Sequence, residues 1–368
     1  MLRNIYMALV IMLFHFTVTG QTVAVKTLKM QAITINDGLS QGMINCIYQD
    51  HFGFMWFGTM DGLNRYDGYH FIVYRHDVFD SASVSGNFIT TIFEDSKQRL
   101  WIGTALNGLN IFDRETERFI HLDHENGLLN SVSENRILSV QEDKFGAIWV
   151  GTAGGLNKIV VLENQQKHKF NSPYTTTVKH IYFDTVNRNN ELFSLHYETG
   201  NTDYFEPSFF IDSKGVIWVG TEHTLFNIIQ SAGKNDIIKE VDNKKFASDK
   251  YELQYTKNHI HNYVEDTAGN IIYLLRKKYI TSFNQDTKEV LQFNCGDIDP
   301  GIFRSQFIVQ SGIIWHATGG RLYQYDLGGN NIYNIQLKTY NSDKNLKEFY
   351  CVYKDRSGII WIGTRGYG

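Results

Sequence analysis

Proline is nearly absent, with three residues in a chain of 368. Cysteine is as scarce: Cys46, Cys295 and Cys351 are too few for a disulfide scaffold or a four-ligand zinc site. Charged side chains make up 20% of the chain, and the formal net charge of −4 comes without a long basic run. That excludes a highly charged disordered tail, and it argues against a nucleic-acid binder working through phosphate neutralisation. Glycine, by contrast, reaches 31 residues and aromatic side chains 14%. Abundant glycine and aromatics with little proline suit many short strands joined by glycine turns. The length fits two ordinary domains or one large all-β domain.

The first twenty residues stand apart. Arg3 precedes an apolar run from Ile5 to Val18, followed by Thr19, Gly20 and Gln21, which is the layout of a secretory signal over residues 1–20. The run is short for a membrane span of about 20 residues. A buried first strand or an uncleaved anchor is the alternative. No cysteine lies near the cleavage point, so a lipid anchor has no support, and no later stretch is apolar enough to span a bilayer. The chain from residue 21 is therefore expected outside the cytoplasm, in the periplasm.

An internal repeat organises the rest. Asp50 to Thr59, Asp95 to Thr104, Asp143 to Thr152, Asp212 to Thr221 and Asp355 to Thr364 all read Asp, five residues, Trp, an apolar residue, Gly, Thr. All six tryptophans, Trp56, Trp101, Trp149, Trp218, Trp315 and Trp361, occupy this motif. Two copies are worn: Ile272 replaces Trp after Asp266, and Val309 replaces Asp before Trp315. The starts at 50, 95, 143, 212, 266, 309 and 355 give a base period of about 45 residues, the length of a four-stranded propeller blade. The fold expected is all-β, a seven-bladed propeller over residues 21–368 with an incomplete last blade. In the second copy, Ile89 to Glu94, Arg99 to Thr104, Gly108 to Asp113 and Arg118 to Leu122 read as its four strands, A to D.

Each motif residue has a structural task. The Asp accepts backbone N–H bonds in the A to B turn, and the Gly three residues on supplies positive φ. The Trp fills the gap between adjacent blades, and the Gly after it allows close approach. Four residues before each Asp stand Cys46, Thr91, Ser139, Ser208, Asn262, Ser305 and Cys351, small residues suited to a crowded innermost strand. A contact between Cys46 and Cys351 is open if first and seventh blades are neighbours. Ala32 to Leu39 matches Ile120 to Leu128, so the chain is expected to start with an isolated strand D that closes the ring on the last blade. A natural continuation beyond Gly368, or else a truncated reading frame, is also expected.

With Gly38-Leu-Ser-Gln, the run from Trp56 to Gly68 and the repeated Trp-Ile/Val-Gly-Thr, the chain resembles the two-component regulator propeller repeats. These belong to the periplasmic sensor regions of hybrid two-component histidine kinases from Bacteroides-like bacteria. The resemblance covers about residues 28 to 368. It implies a first propeller followed by a second one, an immunoglobulin-like domain, a membrane helix and kinase parts, none of which lie in this chain. It further implies an oligosaccharide ligand. No cofactor or metal is expected, and self-association into a homodimer is open.

In such blades the D to A and B to C loops share one face, where ligands usually bind. Asp61, Asn107, His223 and Arg365 fall there, as do Arg188, His196 and Tyr197 in the long connection around 186 to 203. A decorative surface insertion is the plain alternative for that connection. Two rival functions remain. The Asp turns resemble the Asp-boxes of sialidase-type glycosidases, although the spacing differs and the carboxylates recur in turns instead of gathering at one centre. The other rival is a structural or protein-interaction propeller.

Overall fold

The computed structural model of the chain describes residues 24–30, 32–125, 131–163, 174–181, 208–220, 225–229, 237–240, 261–265, 269–275, 279–284, 286–287, 290–294, 305–309, 313–317, 322–326, 331–339 and 349–364. The described chain is all-β. After β1 (Ala24–Met30) come four-stranded antiparallel meanders. The first holds β2 (Ile44–Gln49), β3 (Met55–Thr59), β4 (Gly62–Tyr66) and β5 (Phe71–Tyr74). The second holds β6 (Ile89–Glu94), β7 (Leu100–Thr104), β8 (Leu109–Asp113) and β9 (Arg118–Leu122). The third runs β10 (Ile137–Glu142), β11 (Ile148–Thr152), β12 (Gly155–Glu163) and β13 (Tyr174–Ile181). The fourth runs β14 (Ser208–Ile211), β15 (Val216–Gly220), β16 (Leu225–Ile229) and β17 (Ile237–Glu240). The fifth has β18 (His261–Glu265), β19 (Asn270–Leu275), β20 (Tyr279–Asn284) and β21 (Val290–Asn294). The sixth has β22 (Ser305–Val309), β23 (Ile313–Ala317), β24 (Leu322–Asp326) and β25 (Asn331–Thr339), and β26 (Phe349–Lys354) with β27 (Ile360–Thr364) form a seventh, two-stranded sheet.

The expected strands of the second copy match to within a residue. The isolated first strand does not. Residues 32–34 carry no strand and Ile35–Asp37 is a 3-10 turn; the strand lies earlier, at β1, and pairs in parallel with β25 of the sixth sheet. Thr34 explains the turn: it accepts the Asn36 N–H, while Asp37 reaches back to the Thr34 N–H at 2.7 Å, and Gly38 ends the turn at φ 106°.

Within a sheet, sequence dictates burial simply. The first strands β2, β6 and β10 bury their first and fourth residues (Ile44 and Ile47, Ile89 and Ile92, Ile137 and Val140), whereas β3, β7 and β11 are buried throughout. Strands covered on both faces read as continuous apolar runs. Each first strand of sheets one, two, three, five and seven carries a one-residue bulge two residues in. From two of these bulges a side chain reaches the next sheet: Asn45 Nδ2 donates to the Ile89 carbonyl at 3.0 Å, and Thr90 Oγ1 to that of Ile137 at 2.7 Å.

Successive sheets lie against one another through these first strands, in the order β2, β6, β10, β14, β18, β22, β26, and β26 lies in turn against β2. The motif tryptophans fill the gaps. Trp56 packs into the second sheet beside Ile89, Leu100 and Phe112, Trp101 into the third beside Ile137 and Ile148, and Trp149 into the fourth beside Phe209 and Ile217. Trp361 meets Phe57 of the first sheet edge-on at 5.6 Å, and is only half-buried, unlike Trp56, Trp101 and Trp149. The glycine after Trp is where the next sheet presses closest. A Cβ on Gly103 would stand 2.6 Å from Ile137 Cγ2 and from Thr91 Cγ2, and one on Gly363 would stand 2.8 Å from Ile44 Cβ. This also explains the small residues at 46, 91, 139 and 351: each lies directly across the ladder from that glycine. Both Cys46 and Cys351 are free thiols.

Candidate functional site

Both edges of the sheets are built by repetition. On the A to B edge, each motif Asp holds its turn and its tryptophan together. Asp50, Asp95, Asp143, Asp212 and Asp355 take the indole N–H of Trp56, Trp101, Trp149, Trp218 and Trp361 on Oδ2 at 2.7–2.8 Å. On Oδ1 they accept the backbone N–H four residues on. The expected backbone bonds are therefore present, and the indole bond is an additional one.

The same edge carries a bond between sheets. Glu94 accepts the His51 N–H at 2.7 Å and the imidazole Nδ1 of His51, with Arg114 bridging Glu94 and Asp50. Glu142 accepts the N–H and hydroxyl of Ser96, both at 2.6 Å, and Glu265 those of Ser213, both at 2.7 Å. Gln49 accepts the Arg356 N–H at 2.9 Å. In each case the residue before a motif Asp latches the residue after the motif Asp of the preceding sheet, and the seventh sheet is latched to the first in the same way.

The opposite edge, carrying the B to C turns and D to A connections, is the candidate ligand face. Its foundation is a fully buried Asn in the third strand of each of the first three sheets. Asn64 accepts the Ser40 N–H at 2.8 Å and donates to the Ser40 hydroxyl at 2.9 Å; Asn110 does the same for Ser85, and Asn157 for Ser133. Beside them Thr59, Thr104 and Thr152 close the B to C turns by donating to the carbonyls of Gly62, Gly108 and Gly155. These clamps leave the D to A connections little freedom.

Of the expected ligand residues, Asp61 and Asn107 lie on adjacent B to C turns, and the connection 75–87 runs between them. Arg75 pairs with Asp61 at 3.1 Å, the Gly62 N–H donates to the Asn87 carbonyl at 2.8 Å, and Gly86 packs against the exposed Asn107 side chain. The connection is stiff. His76 donates from its ring to the Val84 carbonyl at 3.0 Å and from its backbone to Asn87 Oδ1 at 2.7 Å, and the Ser83 hydroxyl takes the Asp77 N–H. The Ala82 N–H holds the Asp80 carboxyl below the usual carboxylate range, and Arg118 adds to this. At the apex Phe79 is 96% exposed. The next connection repeats the pattern, with His124 on the Val132 carbonyl and the Asn135 amide. Arg188, His196, Tyr197, His223 and Arg365 lie outside the described residues, and so does the side chain of Trp315.

Sequence reasoning passed over the asparagines and serines of the clamps, and the residue before each motif Asp. Gly-Leu-Asn at 62–64, 108–110 and 155–157 was the available signal. Chemically, the rim offers an exposed carboxylate, guanidinium and amide at fixed spacing, suited to hydrogen-bonding a polar, uncharged ligand. The motif carboxylates and the latch glutamates are engaged in turns and seams. Among the described residues no group of His, Cys, Asp and Glu could hold a metal ion, and no helix is long and apolar enough to cross a membrane.

Residues 38–61, 83–105, 131–154 and 344–366 match the family described as Two component regulator propeller. A histidine kinase of Formosa agariphila is 40% identical over 84 residues, 23% of this chain and 6% of that protein. Among solved structures, the extracellular domain of the hybrid two component system BT3049 from B. thetaiotaomicron superposes with a TM-score of 0.64 at 22% identity. It covers 92% of this chain and 41% of its own. That of BT4673 from the same organism gives 0.64 at 20% identity, covering 92% and 42%. The chain thus spans about two-fifths of those extracellular domains.

Proposed function

Because this chain carries two-component regulator propeller repeats, we propose that it is the ligand-sensing propeller of a hybrid two-component histidine kinase, exported by residues 1–20 and acting in the periplasm. Residues 21–368 form one seven-bladed propeller in this reading. The order of sheets from β2 to β26 and back, and the Arg356 to Gln49 latch, support it. The ligand is an oligosaccharide. It is bound on the rim by Asp61 and Asn107, together with Arg188, His196, Tyr197, His223 and Arg365, and the signal passes to a second propeller and a membrane-anchored kinase elsewhere in the full-length protein. The observation that carries this is the asparagine clamp, which presents Asp61, Arg75 and Asn107 on a stiff rim. Calorimetric titration with an oligosaccharide library tests it. Saturable binding without turnover, weakened by Asp61→Ala and Asn107→Ala, is expected. Turnover, or indifference to every glycan, overturns it.

Phe79 favours a second reading, a contact surface between sensor chains in a homodimer, because a nearly fully exposed ring on a stiff loop is preorganised for contact. Phe79→Ser then lowers self-association in sedimentation runs, and an unchanged sedimentation profile rejects it.

A further inference from the structure

On the A to B edge, the seam between the third and fourth sheets departs from the four latched ones. Where the first, second, third and fifth sheets place Gln49, Glu94, Glu142 or Glu265 before the motif Asp, the fourth has Ile211, whose side chain packs towards Trp149 and can accept no hydrogen bond, as the sixth has Ile308 and the seventh Lys354. Among the described residues nothing accepts the N–H of Lys144, the residue that follows Asp143 and stands where His51, Ser96, Ser213 and Arg356 are latched. Instead Gln141 accepts the Ile211 N–H at 2.8 Å, and the Lys144 ammonium reaches the Lys214 carbonyl at 3.4 Å. A cleft of about 390 Å³ opens at this place, with Phe93 and Phe210 among its walls.

We propose that this cleft is a binding site for a carboxylate supplied from outside the fold, in the seat that a glutamate fills at neighbouring seams. Four observations within the molecule support it. The seat is occupied by a carboxylate or amide oxygen at the other four seams for which both facing residues are described. The donors that such a group meets at the 1/2, 2/3, 4/5 and 7/1 seams, a backbone N–H and a side-chain N–H or O–H, are offered here by Lys144. The carboxylates already in the walls are spent: Glu142 on Ser96, and Asp212 on Val216 and Trp218. The two phenyl rings give the rest of the ligand an apolar bed. The proposal is independent of the glycan reading, because this cleft lies on the edge opposite the rim.

Protein labelled with ¹⁵N-lysine, its Lys144 amide assigned through Lys144→Arg, would be titrated with two probes. 3-Phenylpropionate represents a free organic acid, and N-acetylglutamate N-methylamide a glutamate of a partner polypeptide; 3-phenylpropionamide is the uncharged control. The Lys144 amide is expected to shift saturably with a carboxylate and not with the amide. The tighter probe identifies the source. Ile211→Glu places a carboxylate in the seat and should weaken binding about tenfold or more, as should Ile211→Gln, whereas Ile211→Ala should bind like the parent. A Lys144 amide unmoved by both carboxylates, or equal binding by the parent and a folded Ile211→Glu or Ile211→Gln, overturns the proposal.

Discussion

Arg356 donates its backbone N–H to Gln49 Oε1 at 2.9 Å across 307 residues of chain, and its guanidinium adds a bond to the His51 carbonyl at 3.2 Å. This one junction joins the last described sheet to the first, and it uses the geometry found between sheets that are consecutive in sequence. Gln49→Leu removes the acceptor and leaves the Arg356 backbone N–H and Nε–H to solvent. The expected cost is about 0.5–1.5 kcal/mol, seen as a lower unfolding midpoint. Hydrogen exchange should accelerate over residues 349–364 and hardly at all over 89–104. Equal protection of Gln49→Leu and parent across 349–364 would mean that the seam draws its strength from Trp361 and Phe57 alone.

The Asp143 carboxylate serves the indole of Trp149 and the N–H groups of Phe145 and Ala147 while almost fully buried. Asp143→Ala strands all three donors and is expected to destabilise by about 2–4 kcal/mol. Asp143→Asn retains an acceptor for one side of the network and should fall between. If denaturant unfolding ranks Asn below Ala, the indole bond is not what the carboxylate contributes.

At the positive-φ position of the A to B turn, Gly53, Gly146, Gly215 and Gly358 adopt φ between 75° and 101°, but the second copy has Gln98 at φ 64°. A side chain in that region is strained by about 1 kcal/mol, and Gln98 is exposed with no side-chain partner among the described bonds. Gln98→Gly is therefore expected to stabilise the protein slightly, by about 0.5 kcal/mol after the entropy that glycine costs in the unfolded chain. A lower midpoint in thermal unfolding would show that the strain is already relaxed.

Gly103 makes the opposite case. Its missing Cβ is the space into which Ile137 and Thr91 close, so Gly103→Ala forces the second and third sheets apart at their innermost strands. Overpacking of this kind costs about 1–3 kcal/mol. Combining it with Thr91→Ser, which deletes the Thr91 Cγ2 methyl that the new Cβ would meet at 2.6 Å, should return part of the loss; strict additivity of the two changes would argue that the clash is not at that contact.

What the sequence disclosed was the part written in apolar spacing. Ile89–Glu94 and Leu100–Thr104 are readable because β-branched and aromatic residues end at a turn-forming Asp, and the six tryptophans fix the phase of each sheet. Ala32 to Leu39 misled because its likeness to Ile120 to Leu128 lies mainly in the loop Asp-Gly-Leu and Asn-Gly-Leu, and a shared loop says little about where the strand before it stops. The polar clamps were harder: Asn64, Asn110 and Asn157 look like tolerated surface residues until the half-buried serine partner, 24 or 25 residues away, is seen. The latch residues needed the neighbouring sheet for their meaning, since Glu94 before Asp95 has an ordinary solvent-facing look in sequence. Asp61 and Asn107 were legible as turn residues, but the loop joining them, 75–87, carried no repeat signature.

Burial pushes the Cys46 thiol from its ordinary 9.0 up to about 12, and it raises Cys351 as well, with the neighbouring Cys46 adding to the effect. Both thiols therefore stay protonated and shielded in the folded protein, while in the unfolded chain they ionise at their ordinary values. Between those limits the unfolded state holds fewer protons than the folded one, so stability contributed by the neutral thiols is complete below pH 9.0 and drains away as pH rises towards 12. Native protein at pH 8 is expected to resist iodoacetamide at both positions, and unfolding in guanidinium should expose them to full alkylation, read from the masses of the peptides that contain them. Replacing Cys46 and Cys351 together by serine, the residue found at the equivalent position 139, should remove this alkaline drain while leaving the seventh sheet latched through Arg356. Rapid alkylation of either thiol in folded protein, at a rate above that of global unfolding, would place that cysteine on an open seam between the first and seventh sheets.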